Sequence, residues 1–249
     1  MIEPHCTVNP GAVVVALSDR VAELGVEILE GSELREVDLD GDRVGALRTS
    51  TGRYPCESVV LAAGAWLEQV GRLFGVRLPV QAGKGYSFEV RPRRMPRHAL
   101  LLLEPHVGCS PFGERLRIAG TMEFSGINAR IDQRRIDSII RGAGQMLDGW
   151  TDLDPDSIWC GLRPIAPDGL PIIDRHPGLA NVFVAGAYSM LGMTLAAPAA
   201  QALTSFMLTG ARPAVLSPFR ATRFRGLATL GPLRRDRLVR QVDRCRARP

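Results

Sequence analysis

The segment from Trp159 to Pro198 constrains the fold more than any other part of this 249-residue chain. It places Arg163 at the end of an apolar strand and follows it with a Pro-Asp-Gly turn at residues 167–169. A second apolar run, Val182 to Ala185, leads through a glycine-containing loop into a helix predicted from Thr194 to Leu208. Short buried strands that alternate with helices indicate an α/β fold of mixed α+β character.

The first quarter of the chain predicts a helix, a strand and a hairpin. Asn9 and Pro10 are the N-cap and first residue of a helix that ends at Gly25 and carries one apolar face. Val26 to Leu29 is strand-like. A hairpin is then predicted from Leu34–Leu39 and Val44–Thr49, which flank the turn Asp40-Gly41-Asp42.

A strand buried on both faces is predicted next. Val59 to Ala63 contains no polar side chain, as a central parallel strand requires, and Gly64 ends it before a helix from Ala65 to about Phe74. Together with the upstream elements, this order is typical of one lobe of a nucleotide-binding domain.

The middle of the chain has a different character. After Pro79 it predicts antiparallel strands with polar or proline-rich connections, namely Gly85–Val90, Ala99–Glu104 and Leu116–Gly120. A helix capped by Asp132 follows, with its apolar residues on one stripe. From Ile158 the chain returns to short buried strands, so the first domain is expected to be discontinuous.

The net charge of +5 is distributed unevenly along the chain. Residues 220–249 hold ten arginines against Asp236 and Asp243, or +8, so the other 219 residues carry 21 basic and 24 acidic side chains, or −3. We interpret this tail as a solvated or partner-covered helix end rather than a nucleic-acid site. Peripheral contact with an anionic membrane stays open.

Several classes of protein are disfavoured by the remaining composition. The five cysteines include no C-x-x-C pair and the four histidines do not cluster, so neither a disulfide scaffold nor a metal site is expected. No apolar run approaches the ~18 residues of a membrane span, and the first ten residues lack the features of a secretion signal. We therefore expect a cytoplasmic globular protein.

Several short motifs follow one another in a fixed order. They are Ala62-Ala63-Gly64-Ala65-Trp66, Lys84-Gly85-Tyr86, Leu116 to Gly126 (LRIAGTMEFSG), Gly161-Leu162-Arg163-Pro164, and Pro218-Phe219 with Arg223-Phe224. In this order they resemble the FAD-dependent D-amino-acid oxidase family, which includes D-amino-acid dehydrogenases, glycine oxidase and sarcosine oxidase. The resemblance runs from about Asn9 to Phe224.

The resemblance implies a two-domain organisation. Residues 1–79 and 158–216 correspond to an FAD-binding Rossmann-like domain, residues 80–157 to an inserted substrate domain with an antiparallel sheet and one helix, and residues 217–249 to the Arg-rich tail. The strand–GxGxxG–helix unit that grips the pyrophosphate of FAD has no counterpart in the sequence, because Gly83 with Gly85, and Gly142 with Gly144, both lack the third glycine. The FAD-binding domain is therefore expected to be incomplete.

Three substrate-binding residues are implied by the resemblance. Arg163 in the family's G-L-R-P segment is expected to hold the substrate carboxylate through its planar guanidinium fork. Read without the resemblance, the same arginine can equally pair with a structural carboxylate such as Asp168. Tyr188 and Tyr86 complete the set, although Tyr188 stands where the family often has histidine and Ala187 where it has glycine.

The resemblance also implies which residues contact FAD. Backbone approach is expected at Ala63, Gly64 and Trp66, and Leu34 is expected near the adenine. The loop that opens the last helix is expected against the isoalloxazine ring, where a helix N-terminus can stabilise negative charge; it consists of Ser189, Met190, Leu191, Gly192, Met193 and Thr194. Asp174 departs from the family's usual glycine, and its side chain is expected to crowd a neighbouring loop.

Two functions from different classes follow. One is FAD-dependent oxidation of an amino acid or small amine, D-amino-acid-like or glycine-like, to an imine by hydride transfer. The other is a non-catalytic truncated fragment, or the C-terminal subunit of a split flavoenzyme whose N-terminal nucleotide-binding segment comes from a partner chain. An apolar face or strand edge deprived of its neighbours favours the second reading.

Overall fold

The computed structural model describes residues 8–147 and 155–224. The helices of these residues are α1 (Pro10–Glu23), α2 (Leu67–Leu73), α3 (Gln133–Gly144) and α4 (Gly192–Thr209). The strands are β1 (Leu34–Asp40), β2 (Arg43–Thr49), β3 (Arg53–Pro55), β4 (Val59–Leu61), β5 (Gln81–Val90), β6 (Leu100–Leu102), β7 (Val107–Phe112), β8 (Arg115–Glu123), β9 (Asp156–Ile165), β10 (Ile172–Arg175) and β11 (Val182–Gly186). The predicted mixed α/β fold is confirmed.

The strands form three sheets, and the chain divides into two compact units. The sheet orders are β1-β2-β3, β10-β11-β4 and β6-β7-β8-β5-β9. One unit comprises Met1–Ile28 and Gly83–Leu162, and the other comprises Leu29–Ala82 and Arg163–Pro249. The chain passes from one unit to the other within β5 and within β9. In this division residues 8–28 group with the antiparallel sheet. The domain boundaries expected from the sequence stay a prediction.

The predicted hairpin is confirmed. β1 pairs antiparallel with β2, and the turn between them contains Gly41 in the left-handed conformation that glycine adopts without strain. β3, which the sequence did not predict, adds to β2. Asn181, from the start of β11, anchors the hairpin because its side chain exchanges hydrogen bonds of 2.9 and 2.8 Å with the backbone of Val44.

β4 and β11 form the parallel pair of the structure's second sheet. Val59, Val60 and Leu61 align with residues 182–184 of β11, so the parallel strand predicted at Val59 is confirmed. β4 lies at the edge of this sheet among the described residues, and the side chain of Val60 is 40% exposed. A strand whose sequence is apolar on both faces thus has one edge that no described strand covers.

The strand predicted at Val26–Leu29 is wrong, because the structure assigns no regular element there. A strand exists only when another strand accepts its hydrogen bonds, and no described strand lies beside this segment. The helix before it, α1, forms as predicted, with the Asn9 side chain accepting hydrogen bonds from two N–H groups of its first turn. No residue of α1 is buried by the described part of the chain. The large apolar side chains Val14 and Leu17 of the helix, and Val26 and Ile28 after it, are exposed.

The antiparallel sheet is built on one long buried strand. Nearly every side chain of β5 is buried, and α3 covers the same core with Ile136, Ile139 and Ala143, as its predicted stripe requires. Asp132 caps α3 by accepting a hydrogen bond from the backbone of Arg134. The sequence did not predict β7, since its Gly, Ser and Pro residues resemble a loop.

The side chain of Asp174 is buried and has polar partners, and the expectation that it crowds a neighbouring loop stays a prediction. Its carboxylate is 4% exposed, accepts a 2.8 Å hydrogen bond from the backbone N–H of Ala221, and forms an ion pair with Arg212. A glycine at this position could make neither contact. The carboxylate therefore holds the segment after α4 against β10.

No helix among residues 8–147 and 155–224 is both long enough and apolar enough to cross a membrane. The part of the Arg-rich tail beyond residue 224 lies outside the described residues.

His176 follows β10 and is a buried titratable group. It is 6% exposed, and its Nδ1 accepts a 3.0 Å hydrogen bond from the backbone N–H of Gly178. Burial disfavours the imidazolium and lowers the pKa of His176 to about 4, although the backbone carbonyl of Phe74 opposes the shift. An unfolded chain, with a histidine pKa near 6.5, therefore binds a proton between these values that the folded chain does not.

We predict that His176→Asn flattens the pH dependence of stability. The free energy of unfolding of the wild type should fall by roughly 2 kcal/mol more than that of the variant between pH 7 and pH 5. Asparagine retains a hydrogen-bond acceptor for Gly178 but does not titrate. Denaturant unfolding at both pH values gives the result, with a substitution of the same kind at an exposed histidine, His98→Asn, as the control. Parallel pH curves for wild type and His176→Asn would contradict the assignment.

Candidate active site

Arg163 lies near the C-terminal end of β9 and is half-buried. Burial disfavours solvation of its charge and lowers the pKa of the guanidinium from its usual value. Upstream in the same strand, a Cβ on Gly161 would overlap the indole ring of Trp159, so the glycine of the G-L-R-P motif leaves room for that ring.

The alternative partner of Arg163, Asp168, is engaged elsewhere. The two oxygens of the Asp168 carboxylate accept hydrogen bonds of 2.6 and 3.0 Å from the guanidinium of Arg223. Arg223 also donates to the backbone carbonyl of Leu170 at 2.8 Å. This bidentate pair fixes the Pro-Asp-Gly turn to the closing Arg223-Phe224 motif, and it lowers the pKa of Asp168.

The structure brings the end of β9 against the loop between β11 and α4. Ile165 forms an isolated antiparallel bridge with Tyr188, and the backbone N–H of Ser189 donates to the carbonyl of Pro164 at 2.9 Å. The G-L-R-P segment and the predicted isoalloxazine loop are therefore directly linked. Two predicted regions more than twenty residues apart in sequence thus meet at one place.

The backbone of this loop is strained. Ala187 has φ 61° and Ser189 has φ 53°, both in the left-handed region that side-chain-bearing residues rarely adopt. Such residues cost of order 1 kcal/mol each and cluster at ligand-binding sites. Tyr188, between them, is half-buried, and burial raises the pKa of its phenol.

The loop ends at the N-terminus of α4, which no side chain caps. The first turn of an α-helix has N–H groups without partners in the helix and carries the positive end of the dipole. Around it the side chains of Met190, Leu191 and Met193 are exposed. A Cβ on Gly192 would have its nearest contact with the Cβ of Tyr188 at 3.8 Å, an ordinary van der Waals contact, so the protein itself does not require glycine there for lack of room.

The turn after β4 lies at the same end of the sheet as this loop, because β4 and β11 are parallel. Gly64 has φ 52°, a Cβ added to it would meet no neighbouring atom within 4 Å, and Trp66 is half-exposed. A Cβ on Gly186 would overlap the side chain of Leu67, which shows how closely the two turns pack. The predicted cofactor residues Ala63, Gly64 and Trp66 are therefore neighbours of the β11–α4 loop.

Leu34 is the first residue of β1, and its side chain packs against the core that lies beneath this sheet. The predicted contact of Leu34 with adenine stays a prediction.

Tyr86 lies in the other unit and is 1% exposed. Its hydroxyl donates a 2.6 Å hydrogen bond to Glu123, whose other oxygen is 3.1 Å from the ammonium of Lys84. Lys84 also donates to Asn128 and to the carbonyl of Arg130, each at 2.9 Å. The hydroxyl of Tyr86 thus serves this buried network, and its role in substrate binding stays a prediction.

Sequence reasoning missed Glu123 and the partners of Lys84. Hydrogen bonds from Ser125 and Tyr86, and the ammonium of Lys84, lower the pKa of Glu123 to about 2. One signal was present, since Lys84 is the single lysine among 31 basic residues and stands in a run of buried strand residues. A lone ammonium in an apolar strand requires a carboxylate partner.

Comparison with known proteins gives consistent results. The model of the FAD-dependent oxidoreductase family (DAO) matches residues 1–206. The D-amino acid dehydrogenase of Paramagnetospirillum magneticum is 32% identical over 204 residues, which are 81% of this chain and 48% of that protein. The D-amino acid dehydrogenase of Cereibacter sphaeroides is 29% identical over 81% of this chain and 46% of its own length. The chain thus spans about half the length of these relatives.

Solved structures give the same fold. Glycine oxidase from Geobacillus kaustophilus has a TM-score of 0.75 at 26% identity, over 86% of this chain and 58% of that one. L-proline dehydrogenase from P. horikoshii has a TM-score of 0.78 at 18% identity, a likeness of fold alone. The resemblance inferred from the motifs is confirmed: the chain belongs to the family of FAD-dependent oxidoreductases.

Proposed function

We propose that this chain forms the flavin-facing and substrate-facing part of an FAD-dependent dehydrogenase or oxidase that converts an amino acid or small amine to an imine. The observation that carries the proposal is the junction of the G-L-R-P segment with the β11–α4 loop, through the Ile165–Tyr188 bridge and the Ser189–Pro164 hydrogen bond. A carboxylate-binding arginine next to a helix N-terminus suits an amino-acid substrate that is oxidised beside an electron-rich ring. The names of the relatives favour a D-amino acid, and those of the structural neighbours include glycine.

The residues at the carboxyl end of the β4–β11 pair suit the isoalloxazine half of FAD. When bound, FAD would accept a hydride from the substrate Cα–H bond, which leaves an imine that water hydrolyses to ammonia and an oxo acid. The residues 189–194 would lie against the ring system, where the uncapped N-terminus of α4 favours negative charge. Ala63, Gly64 and Trp66 would line the same end of the sheet.

Arg163 would hold the substrate in this proposal. Its guanidinium offers two parallel donors to a carboxylate, which fixes the direction of the Cα–H bond as well as the position of the substrate. Partial burial strengthens the attraction because less water screens the charges. No side chain is needed as a base if the substrate amine arrives neutral.

The pyrophosphate side of FAD requires a further segment in this proposal. The free edge of β4 is the feature of the described residues that a strand–turn–helix unit with a GxGxxG turn would complete. The same polypeptide or a partner chain could supply it, in a cytoplasmic protein as the sequence led us to expect. The competing proposal, a non-catalytic fragment, draws on the same exposed apolar surface.

The visible spectrum of the chain, purified after addition of FAD and of a strand–GxGxxG–helix fragment in trans, distinguishes the two proposals. Flavin absorption bands at close to one flavin per chain support the enzyme. A colourless, aggregated protein supports the fragment.

We predict that Arg163→Ala lowers kcat/KM by about 30- to 1000-fold, since loss of a charge-assisted bidentate contact costs about 2–4 kcal/mol. In the complex reconstituted with a strand–GxGxxG–helix fragment, flavin content should stay unchanged, because the variant removes the substrate contact and not the ring contacts. Assays of D-amino acids and glycine with an artificial electron acceptor measure the first quantity and absorbance the second. Arg77→Ala, at an exposed position in the same unit, is the matched control. Unchanged kcat/KM in Arg163→Ala would remove this residue from the site.

We predict that Gly192→Val reduces flavin retention several-fold while the melting temperature changes little. A Cβ at position 192 meets only an ordinary van der Waals contact in the protein alone, so we expect the valine to interfere chiefly with a bound ring. Flavin per chain in the complex reconstituted with a strand–GxGxxG–helix fragment, and thermal melting of the flavin-free protein, are the two readouts. Ala200→Val, at an exposed position later in α4, controls for the helix propensity of valine. Equal flavin content in wild type and Gly192→Val would contradict the placement of the ring.

We predict that the isolated chain binds FAD more weakly than micromolar, and that a strand–GxGxxG–helix fragment added in trans restores both affinity and solubility. One added unit supplies the phosphate site and the missing neighbour of β4. Titration followed by flavin fluorescence measures the affinity, and a fragment with all three glycines replaced by alanine is the control. Micromolar or tighter binding without the fragment would show that the pyrophosphate turn is dispensable.

A further inference from the structure

The connection between β5 and β6 carries a concentrated positive charge at the protein surface. Four arginines fall within seven residues, Arg91, Arg93, Arg94 and Arg97, and all four are exposed. No acidic residue occurs from Arg91 to Leu103, and Glu104 is the first carboxylate after it. The segment from 91 to 103 therefore has a net charge of +4 with histidine neutral.

This charge is largely uncompensated. Among the residues that the structure describes, no carboxylate forms an ion pair with Arg93, Arg94 or Arg97, although other surface arginines such as Arg115 and Arg117 have acidic partners. Arg91 contributes to lowering the pKa of Asp156, after the larger effect of Arg115. Within the described part of the chain, these three guanidinium groups thus have no carboxylate partner that competes with an anion from outside the protein.

Exposed apolar side chains lie directly beside these arginines. Leu101 and Leu103 are each 68% exposed, whereas Leu102 between them is buried in the sheet core. They lie on and just after β6, which is the edge strand of its sheet among the described residues. Alternation along the strand directs both leucines away from the core on the same side.

We propose that the Arg91–Leu103 surface binds an anionic lipid bilayer from one side. Arginines would contact headgroup phosphates, while Leu101 and Leu103 would enter the boundary between headgroups and acyl chains. This combination favours lipid over nucleic acid, because residues 91–103 contain no aromatic side chain to stack on bases, and two exposed leucines gain nothing from a phosphate backbone. The proposal is independent of the proposed catalytic function.

Co-sedimentation with vesicles tests this proposal on the full chain. We expect binding to phosphatidylglycerol–phosphatidylethanolamine vesicles that weakens with added salt, and little binding to phosphatidylcholine vesicles. The triple variant Arg93→Glu, Arg94→Glu, Arg97→Glu should bind at least about tenfold more weakly, given about 1 kcal/mol per arginine near the surface. The pair Leu101→Ser, Leu103→Ser should also lose about tenfold, without any change of charge.

A matched variant separates a specific surface from general attraction. Arg77→Glu, Arg130→Glu, Arg141→Glu changes the net charge by the same amount at exposed positions outside the Arg91–Leu103 surface. It should retain most of the binding, and circular dichroism should show that all variants are folded. The Arg-rich tail is present in every variant and so contributes equally.

Three results would overturn the proposal. The first is an equal loss of vesicle binding in the matched variant and in the triple variant of Arg93, Arg94 and Arg97. The second is unchanged vesicle binding after replacement of the two leucines. The third is no binding of the wild type to anionic vesicles. Tighter salt-resistant binding to duplex DNA than to the vesicles would also overturn it, and would assign the surface to nucleic acid instead.

Discussion

The parallel pairing of β4 with β11 is the constraint on which the candidate site depends. It brings the carboxyl ends of two strands, more than a hundred residues apart in sequence, to one end of a sheet. The turn at Ala63–Trp66 and the loop at residues 187–194 therefore lie together, in the position where open α/β sheets bind ligands. Because β9 joins the same loop through Ile165 and Tyr188, the arginine of its G-L-R-P segment belongs to this end of the sheet as well.

The backbone at this end adopts conformations that let a ligand approach closely but that lower the stability of the fold. Gly64 takes a left-handed conformation without strain, but Ala187 and Ser189 take it at a cost of order 1 kcal/mol each. Contacts far from the loop offset that cost. Asp174 fixes the segment after α4 through Ala221 and Arg212, and Arg223 fixes the Pro-Asp-Gly turn through Asp168.

Sequence patterns predicted the features that depend on local chemistry. Asn9 and Asp132 cap helices as expected, because helix capping depends on residues close together in the sequence. The apolar run at Val59 forms a parallel strand, because a continuous apolar run indicates a strand buried on both faces. Features that depend on distant partners were missed. Val26–Leu29 has a strand pattern but no described neighbour, and the Tyr86 hydroxyl is directed by Glu123, whose proximity follows from the pairing of β5 with β8. No local pattern contains that information.

Hydrogen–deuterium exchange with and without millimolar FAD tests the central claim most directly, namely that the carboxyl end of the β4–β11 pair receives the flavin. FAD should slow exchange at the backbone N–H groups of residues 63–67 and 189–195, because a bound ring excludes water from both turns. Exchange in β6 and β7, in the other unit, should stay unchanged. Protection confined to other segments, or no protection at either turn despite measurable FAD binding, would contradict this account.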